Sequence, residues 1–485
     1  MNFIVLSSEY VLRLDPNGAY LIAVNGIGRE NKTALIQIPY YMGIIFYLLG
    51  KEPYENAVIS ISRKTGLSPD AIKHFVSQLV NADTPKSFKI NENYTLVFPK
   101  GILNYSEFAE KRDFYVETKY SDLLRPFAIT RPTMPTSVNL MTTVTCNTDC
   151  VYCYANRKLK NTLDCKEILQ LLSNLKEEGV VNATLTGGDI FTFNGWKDIL
   201  AEVKRLGYSH FISTKTPLSR EDVLYISELG YNSLQFSLDS ANPSILSKIL
   251  NVDGDIYIQK CIDFLSLCIQ HNINVQIRTV LTSHNSSLSG IKHLYHFLNR
   301  FGCVCQWDMT PAFFSEYKKE QSQKYRASNE DLTTIYNFSK HKDLKIPIRI
   351  SKVTEEGYNL QRYTDVESFC SNNQICLANY TTLSILANGV CSLCEMLYEN
   401  EEYLLGNIRK QTVKEIWNSP KALALYAPLQ KDISSNSPCS KCNVFNTCKA
   451  SHNKRICYLN IHKTGHTSDY PDPACPMASS SDLIL

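Results

Sequence analysis

Three cysteines within one short stretch, TCNTDCVYCYANRK at Thr145–Lys158, constrain this chain more than any other feature. They are Cys146, Cys150 and Cys153, spaced Cys-xxx-Cys-xx-Cys. Thiolates are the soft ligands that iron–sulfur clusters require, and three of them leave one iron of a four-iron cubane open. The preceding run MPTSVNLMTTV predicts a buried strand. The loop then lies at the carboxyl end of that strand, where barrel enzymes keep their chemistry.

Two neighbouring features extend this motif. Tyr152 stands just before the third cysteine, and the turn Thr186–Asp189, with the sequence TGGD, follows one strand–helix unit later. The pattern resembles that of the radical S-adenosylmethionine (SAM) enzymes. The resemblance implies that the open iron binds the amino and carboxylate groups of SAM. It also implies that the reduced cluster cleaves SAM to a 5′-deoxyadenosyl radical, while the protein holds and orients the cofactor.

Length, charge and hydropathy narrow the class of protein. A chain of 485 residues with 44% hydrophobic residues can form several globular domains. The net charge of +3 argues against a dedicated nucleic-acid binder. The N-terminus lacks the pattern of a signal peptide, and no apolar run approaches the roughly 18 residues of a membrane span. We therefore expect a cytoplasmic protein with reduced thiols, no membrane association and no nucleic-acid partner.

Residues 1–100 predict a domain of their own. The runs VLRLD and AYLIAV are typical of strands joined by a PNG turn. Three helical segments follow, the third of which begins with Ser68 as N-cap and Pro69 at the first helical position. KSFKINENYTLVF then alternates around an NEN turn, as a hairpin does. Together these elements predict a winged helix-turn-helix.

The third helix bears on the role of this domain. A DNA-reading helix should present Arg and Lys, whereas this one presents Asp70, Lys73, His74, Ser77 and Gln78. A winged helix ahead of a radical SAM domain resembles instead the recognition element of enzymes that modify ribosomally made peptides. The resemblance implies a leader peptide bound as an added strand on a sheet edge. DNA reading, and simple packing on the barrel, are the alternatives.

The central part of the chain predicts an α/β fold. Residues 101–135 contain three prolines and are expected to form an irregular connector. We place strands near 138–144, 181–186, 209–214, 232–238, 273–281 and 303–309, with helices between them. Such units imply parallel strands joined by right-handed crossovers, hence a partial (β/α)6 TIM-type barrel over 136–320, followed by a bridging region over 321–365. The radical SAM family has this six-unit fold.

The resemblance also implies which residues hold SAM. These are Tyr152 in the cysteine loop and, at the ends of the second, third and fourth strands, Gly187, Gly188, Asp189, Ser213, Lys215, Ser237 and Asp239. Glycines let the backbone approach the methionine end of SAM, and the acid accepts a hydrogen bond from its amino group.

This chain departs from the family pattern at two of these places. Asp189 stands where the family usually has a glutamate, which is one methylene longer. The arginine that many relatives carry after the fourth strand is absent from SKILNVDG. Lys248 is a candidate substitute or an ordinary exposed lysine. The fifth strand carries Arg278, and the pattern does not decide which way its side chain faces.

Cysteines become dense again in residues 366–485. Their spacing matches, nearly residue by residue, a twin-cluster C-terminal extension called SPASM. By this resemblance one auxiliary [4Fe–4S] cluster binds Cys370, Cys376, Cys394 and Cys457, and the other binds Cys439, Cys442, Cys448 and Cys475. Relatives usually place one of these cysteines at the position of His452, and histidine also ligates iron, so His452 is an alternative to Cys457. A zinc ribbon on CSKC with Cys448 and Cys457 is a second alternative.

The combined resemblance implies a peptide maturase. Its cofactors would be three [4Fe–4S] clusters and SAM, and its partners a precursor peptide and an electron donor such as flavodoxin or ferredoxin. The chain is similar to enzymes that remove hydrogen from a peptide carbon and form a sulfur-to-carbon thioether (sactionine) crosslink.

Three other functions fit the same motifs. The first is carbon–carbon (cyclophane) crosslinking. The second is oxidation of Cys or Ser, as in sulfatase-maturing enzymes, whose catalytic base is an aspartate at the position of Glu395. The third is a cluster-bearing peptide scaffold without catalytic activity, which the intact SAM motif disfavours.

Overall fold

A computed structural model describes residues 3–24, 35–92, 94–112, 114–116, 127–312, 314–351, 353–355, 357–358, 362–372, 376–450 and 456–479. The chain divides into two compact units. One comprises the N-terminal region up to residue 137 together with residues 175–182, and the other comprises residues 138–174 and the chain from residue 183 onward. His452 lies outside the described residues.

The N-terminal unit combines short strands with three helices. In chain order its elements are Phe3–Leu6 (β1), Tyr10–Asp15 (β2), Gly18–Ala23 (β3), Leu35–Ile38 (β4), Tyr40–Leu49 (α1), Tyr54–Thr65 (α2), Pro69–Leu79 (α3), Lys86–Asn91 (β5), Tyr94–Phe98 (β6), Leu103–Ser106 (β7) and Tyr115–Val116 (β8). One sheet has the order β4-β3-β2-β8, and two antiparallel pairs are β1 with β7 and β5 with β6.

The third helix shows why the sequence folds as predicted here. The Ser68 hydroxyl accepts a hydrogen bond from the Ala71 amide, and Pro69 follows at the first turn. Ile72, Val76 and Leu79 recur at helical spacing and are buried. The predicted order of strands, three helices and a hairpin is therefore observed, and the assignment as a winged helix stays a prediction.

The segment expected to be a connector contributes strands to this unit. Strand β7 pairs with β1, and β8 pairs parallel with β2. Thr133 donates from its amide and its hydroxyl to Asp15 Oδ2 at 3.0 and 2.8 Å. Arg13 forms a fully buried ion pair with the same Asp15 oxygen at 2.8 Å. Strands of two to four residues are too short to show a hydrophobic period, so the sequence did not indicate them.

The second unit begins with alternating strands and helices. Its elements up to residue 350 are Ser137–Thr143 (β9), Cys165–Glu177 (α4), Asn182–Gly187 (β10), Trp196–Arg205 (α5), Ser209–Thr214 (β11), Arg220–Glu228 (α6), Ser233–Ser237 (β12), Pro243–Leu250 (α7), Gly254–Gln270 (α8), Asn274–Leu281 (β13), Leu288–Leu298 (α9), Val304–Pro311 (β14), Lys319–Lys324 (α10), Asn329–Ser339 (α11) and Ile348–Ile350 (β15). Each of the six predicted strands overlaps one of these, and the partial-barrel prediction is confirmed.

The C-terminal part of this unit is built from shorter elements. They are Val353–Thr354 (β16), Gly357–Tyr358 (β17), Val366–Asn372 (α12), Thr382–Ile385 (β18), Val390–Ser392 (β19), Leu404–Asn407 (β20), Val413–Trp417 (α13), Pro420–Tyr426 (α14) and Tyr458–Lys463 (α15). In the part of the chain that the structure describes, no helix is long and apolar enough to cross a lipid bilayer.

One sheet joins the barrel strands to the cysteine-rich region. Its order is β15-β14-β13-β12-β11-β10-β9-β18-β19-β20. The pairs from β11 to β15 are parallel, and β18, β19 and β20 pair antiparallel. Strand β15 comes from the predicted bridging region, and β18 continues the sheet beside β9. The strand that precedes the cysteine loop therefore lies next to the first strand of the cysteine-rich region.

Candidate active site

The cysteine loop follows β9 and is fixed to the end of α7. The amides of Asp149 and Val151 donate to the carbonyls of Leu250 and Ile249 at 2.8 and 2.9 Å. The Thr148 hydroxyl lies 3.3 Å from the sulfur of Cys146 and 3.4 Å from that of Cys150. One hydroxyl thus contacts two of the three predicted ligands. The loop therefore brings at least two of its thiols to one hydroxyl in an anchored turn.

Residues that the sequence analysis missed hold this loop in shape. Arg157 donates to the carbonyls of Thr148, Cys146 and Val144 at 2.8, 3.3 and 3.3 Å. A guanidinium bound to three carbonyls fixes the path of the backbone between them. Arg157 lies inside the motif Thr145–Lys158. Its sequence position did not indicate this role, because a basic residue in a loop is usually a solvent-exposed charge.

A second clamp comes from a distant segment of the chain. The Ser315 hydroxyl donates to the Cys153 carbonyl at 2.6 Å, and Lys318 forms an ion pair with Asp149 at 3.0 Å. These contacts span more than 160 residues of sequence. No local pattern could have indicated them.

The two glycines of the TGGD turn are required by close approach to the cysteine loop. Gly187 has φ +144°, and a Cβ there would lie 2.5 Å from the Thr143 carbonyl oxygen. A Cβ on Gly188 would lie 1.8 Å from the Thr145 carbonyl oxygen. The Gly188 amide donates to the Thr143 carbonyl at 2.7 Å. The turn is therefore packed directly on the backbone that leads into Cys146.

Asp189 ties the end of β10 to the end of β11. Its Oδ2 accepts hydrogen bonds from the Thr214 hydroxyl and from the amides of Lys215 and Thr216, at 2.8, 2.9 and 3.0 Å. Its Oδ1 accepts from the Phe191 amide at 3.2 Å. The carboxylate is buried and engaged with the neighbouring loop. Its contact with the SAM amino group stays an expectation from the resemblance.

Lys215, Asp239 and Tyr152 form one buried network beside the cysteine loop. Asp239 Oδ2 accepts from the Tyr152 hydroxyl at 2.5 Å and from Lys215 Nζ at 2.8 Å. Burial is the largest single effect on the pKa of Lys215 and lowers it, but the charge and hydrogen bond of Asp239 together with the neighbouring cysteines outweigh burial, and the pKa is raised. Burial and Asp239 together raise the pKa of Tyr152 far above its usual value. These three predicted SAM residues are brought together.

The remaining predicted SAM residues lie on the same strand ends. Ser213 is the register neighbour of Gln235, whose side chain donates to the Ser237 hydroxyl at 2.8 Å. Lys248 is exposed on α7, as expected for an ordinary surface lysine. Arg278 is paired in register with Ser237. Ile277 and Thr279 on either side of Arg278 are fully buried, whereas its own side chain is exposed.

Glu395 follows Cys394 and reaches the residue after Cys153. The Tyr154 hydroxyl donates to Glu395 Oε1 at 3.1 Å. Burial raises the pKa of Glu395, although Tyr154 and the charge of Arg278 oppose that effect. The Glu395 charge, followed by burial, raises the pKa of Tyr154 well above its usual value. Tyr154, Glu395 and Gly187 line one cavity between the barrel strands and the cysteine-rich region.

The second predicted set of auxiliary ligands converges on a single cavity. Its lining includes all four thiols of the set, together with buried apolar side chains; the four are Cys439, Cys442, Cys448 and Cys475. Burial raises the pKa of Cys475 to about 11. A cavity lined by four soft ligands fits a [4Fe–4S] cluster.

The first predicted set is brought together in part. Cys394 lies within electrostatic reach of Cys376 and Cys457. Cys370, the fourth member, is instead hydrogen-bonded to the thiol of Cys448 in the second set. The two groups adjoin, because Cys376 and Cys448 line a common smaller cavity. Among the described residues, no three His, Cys, Asp or Glu side chains are placed to share a single metal ion.

Two regions of the chain match the models of known protein families. Residues 140–293 match the Radical SAM superfamily. Residues 376–443 match the SPASM iron–sulfur cluster-binding domain. The chain therefore contains one region similar to radical SAM proteins and a second region similar to SPASM domains, as the cysteine spacing predicts.

One solved structure shares the fold of nearly the whole chain. Two curated proteins are similar in sequence over part of the chain. The crystal structure of Streptococcus suis SuiB bound to precursor peptide SuiA matches with a TM-score of 0.67 at 14% identity, covering 99% of this chain and 100% of that one. The maturation protein SkfB for the sporulation killing factor of Bacillus subtilis is 29% identical over 109 residues, 22% of this chain and 27% of SkfB. GTP 3′,8-cyclase of Clostridium perfringens is 27% identical over 146 residues, 28% of this chain and 43% of the cyclase. The chain thus matches less than half the length of either curated relative.

Proposed function

We propose that this protein is a radical SAM enzyme that modifies a ribosomally made precursor peptide by forming a cysteine thioether crosslink. One observation carries the proposal. One cavity is lined by Gly187 of the TGGD turn, by Tyr154 of the cysteine loop and by Glu395, which follows Cys394. A substrate in that cavity would lie against both cluster-binding regions.

Similarity to two known proteins supports a peptide as the substrate. SuiB, whose fold matches nearly the whole chain, has been crystallised with its precursor peptide and, separately, with SAM. SkfB is named as a maturation protein for a killing factor. In this proposal residues 1–100 recognise the leader of the peptide, and the barrel acts on its core. The domain boundaries at 135, 320 and 365 belong to the same proposal.

In this proposal, different groups of the site remove the hydrogen atom, the proton and the electron that crosslinking releases. A thioether replaces one C–H and one S–H bond of the peptide by one C–S bond, so a hydrogen atom, a proton and an electron must leave. SAM bound at a reduced cluster supplies the radical that takes the hydrogen atom. In this proposal Glu395, whose carboxylate accepts a hydrogen bond from Tyr154, takes the thiol proton. The SPASM cysteines would hold auxiliary clusters able to accept the electron, and a flavodoxin or ferredoxin would supply the electron that reduces the first cluster.

A sulfatase-type oxidation is the second candidate, because Glu395 occupies the position of that family's base. Carbon–carbon crosslinking uses the same first step and is not distinguished by the residues of the site. Mass spectrometry of a precursor co-expressed with the enzyme separates the three. A thioether removes two hydrogens and blocks one cysteine thiol from alkylation, whereas a carbon–carbon link leaves every thiol reactive. A precursor that returns unmodified, although the enzyme cleaves SAM, would contradict the peptide proposal.

The proposed cluster assignment makes a prediction for Cys457. Replacing Cys457 by alanine should open one iron of the first auxiliary cluster and make that cluster labile, because a cubane that loses a thiolate loses iron on oxidation. His452→Ala should leave iron content and the visible spectrum unchanged. Both are measured by iron and sulfide analysis after anaerobic reconstitution. Iron loss in the His452 variant alone would reverse the assignment.

A further inference from the structure

Arg278 is a charged side chain in the barrel that the chemistry above does not use. Strand residues alternate between the two faces of a sheet. Ile277 and Thr279 are fully buried, and the Thr279 hydroxyl accepts from the Trp307 indole at 2.8 Å, so that face is packed. Arg278 therefore lies on the other face, with Ser237 beside it on β12 and Asp308 beside it on β14.

The acidic groups around Arg278 already have partners. Asp308 accepts from the side-chain amides of Gln276 and Gln306, at 2.5 and 2.6 Å. Glu395 accepts from Tyr154. The Arg278 guanidinium makes no hydrogen bond or ion pair with any residue that the structure describes. Its charge still acts on Tyr154, Glu395 and Asp308, so these three side chains lie within electrostatic reach of the guanidinium.

This group of side chains differs from the proposed SAM site. Lys215 and Asp239 interact electrostatically with Cys150, on the side of the loop that carries Tyr152. Tyr154 interacts with Cys153 and Glu395, on the side that carries Arg278. Two polar groups, each with one basic residue, thus act on different residues of the cysteine loop. The basic residue on the SAM side is neutralised by Asp239, and the one on the other side is not.

We propose that Arg278 is a carboxylate-binding residue on the open face of β13, which anchors an acidic side chain of the peptide substrate within electrostatic reach of Glu395. The identification of the ligand as a peptide rests on the proposed function. A guanidinium presents a rigid fork of donors that matches a carboxylate in two parallel hydrogen bonds.

Two synthetic peptides test this proposal. The probes are the N-acetylated amide Gly-Cys-Glu-Ala-Gly and its twin with glutamine in place of glutamate. They are titrated calorimetrically into the reconstituted, SAM-bound enzyme. We expect the acidic peptide to bind about tenfold more tightly than its twin, as a charged hydrogen-bonded pair should. Arg278→Gln should bring this ratio close to one, and Arg278→Lys should restore part of it.

A matched control variant and two further measurements distinguish the loss of this contact from misfolding. Arg220→Gln removes the same charge from an exposed site at the start of α6 and should keep the tenfold preference. Iron content and SAM affinity should be unchanged in Arg278→Gln. An acid preference that survives in Arg278→Gln overturns the proposal, and so do two peptides that bind the wild type equally well. A loss of SAM affinity with an unchanged peptide preference overturns it too, because Arg278 would then bind the SAM carboxylate.

A third probe separates this proposal from the proposed function. Glutarate carries a carboxylate but no peptide bond. If glutarate binds in an Arg278-dependent manner and neither peptide binds, the carboxylate site stands and the peptide function is wrong. If the acidic peptide binds through Arg278 while a co-expressed precursor stays unmodified, the anchoring role stands and the crosslinking reaction is wrong.

Discussion

Replacing Cys146, Cys150 and Cys153 together by alanine is expected to abolish cleavage of SAM to 5′-deoxyadenosine and to remove about four of about twelve irons. These three thiols occupy one loop, and a single hydroxyl, that of Thr148, contacts two of them. The auxiliary thiols lie in other segments and should keep their iron. Anaerobic reconstitution, followed by iron and sulfide analysis and chromatography of the nucleoside product, measures both effects.

The control for this triple variant is Cys305→Ala. Cys305 is an exposed thiol on β14, outside every proposed ligand set, and its removal should change neither iron content nor SAM cleavage. The loop should still fold in the triple variant, because Arg157 holds it through backbone carbonyls rather than through sulfur. A triple variant that still produced 5′-deoxyadenosine would contradict the radical SAM assignment of this loop.

The parts of the site that could be predicted from the sequence are those encoded locally. Cys146, Cys150 and Cys153 are neighbours in the chain, so their spacing alone indicates a shared ligand. Strands β9 to β14 were predicted because each is an apolar run between helical segments, and parallel buried strands have that pattern. The SPASM cysteines were found by their spacing in the same way.

The parts that could not be predicted depend on contacts between distant segments. Tyr154 and Glu395 are 241 residues apart, and nothing near either one indicates the other. The order of strands in the sheet, in which β18 follows β9, is equally non-local. The contact between Cys370 and Cys448 has the same origin. Arg278 was visible as a charge on an apolar strand, but its direction needed the register with Ser237 and Asp308.

Gly188→Ala is expected to have an effect nearly as large as the loss of the three thiols. A Cβ at this position would lie 1.8 Å from the carbonyl oxygen and 2.5 Å from the carbonyl carbon of Thr145. Both are backbone atoms, so the clash cannot be relieved by a side-chain rotation. The backbone leading into Cys146 must move, and a displacement of about 1 Å in a reactive site can cost about 100-fold in rate.

The expected result is specific to the first cluster. SAM cleavage by Gly188→Ala should fall at least about 100-fold, and its iron content should fall toward that of the triple cysteine variant. Overpacking of this kind also typically costs about 1–3 kcal/mol of stability, which a thermal melt would show. The auxiliary clusters, bound by residues after 365, should keep their iron.

Two glycines elsewhere in the chain separate this contact from general effects of adding a methyl group. Gly302 has nothing within 4 Å of an added Cβ, so Gly302→Ala should leave SAM cleavage and iron content at their normal values. Gly66 also has open space but lies at φ +73°, so Gly66→Ala should lower only the melting temperature, through backbone strain. Of the three glycines, only Gly188 would place an added Cβ against backbone atoms. Only the Gly188→Ala variant should therefore lose the first cluster. Full SAM cleavage by Gly188→Ala would mean that the TGGD turn does not support the cysteine loop.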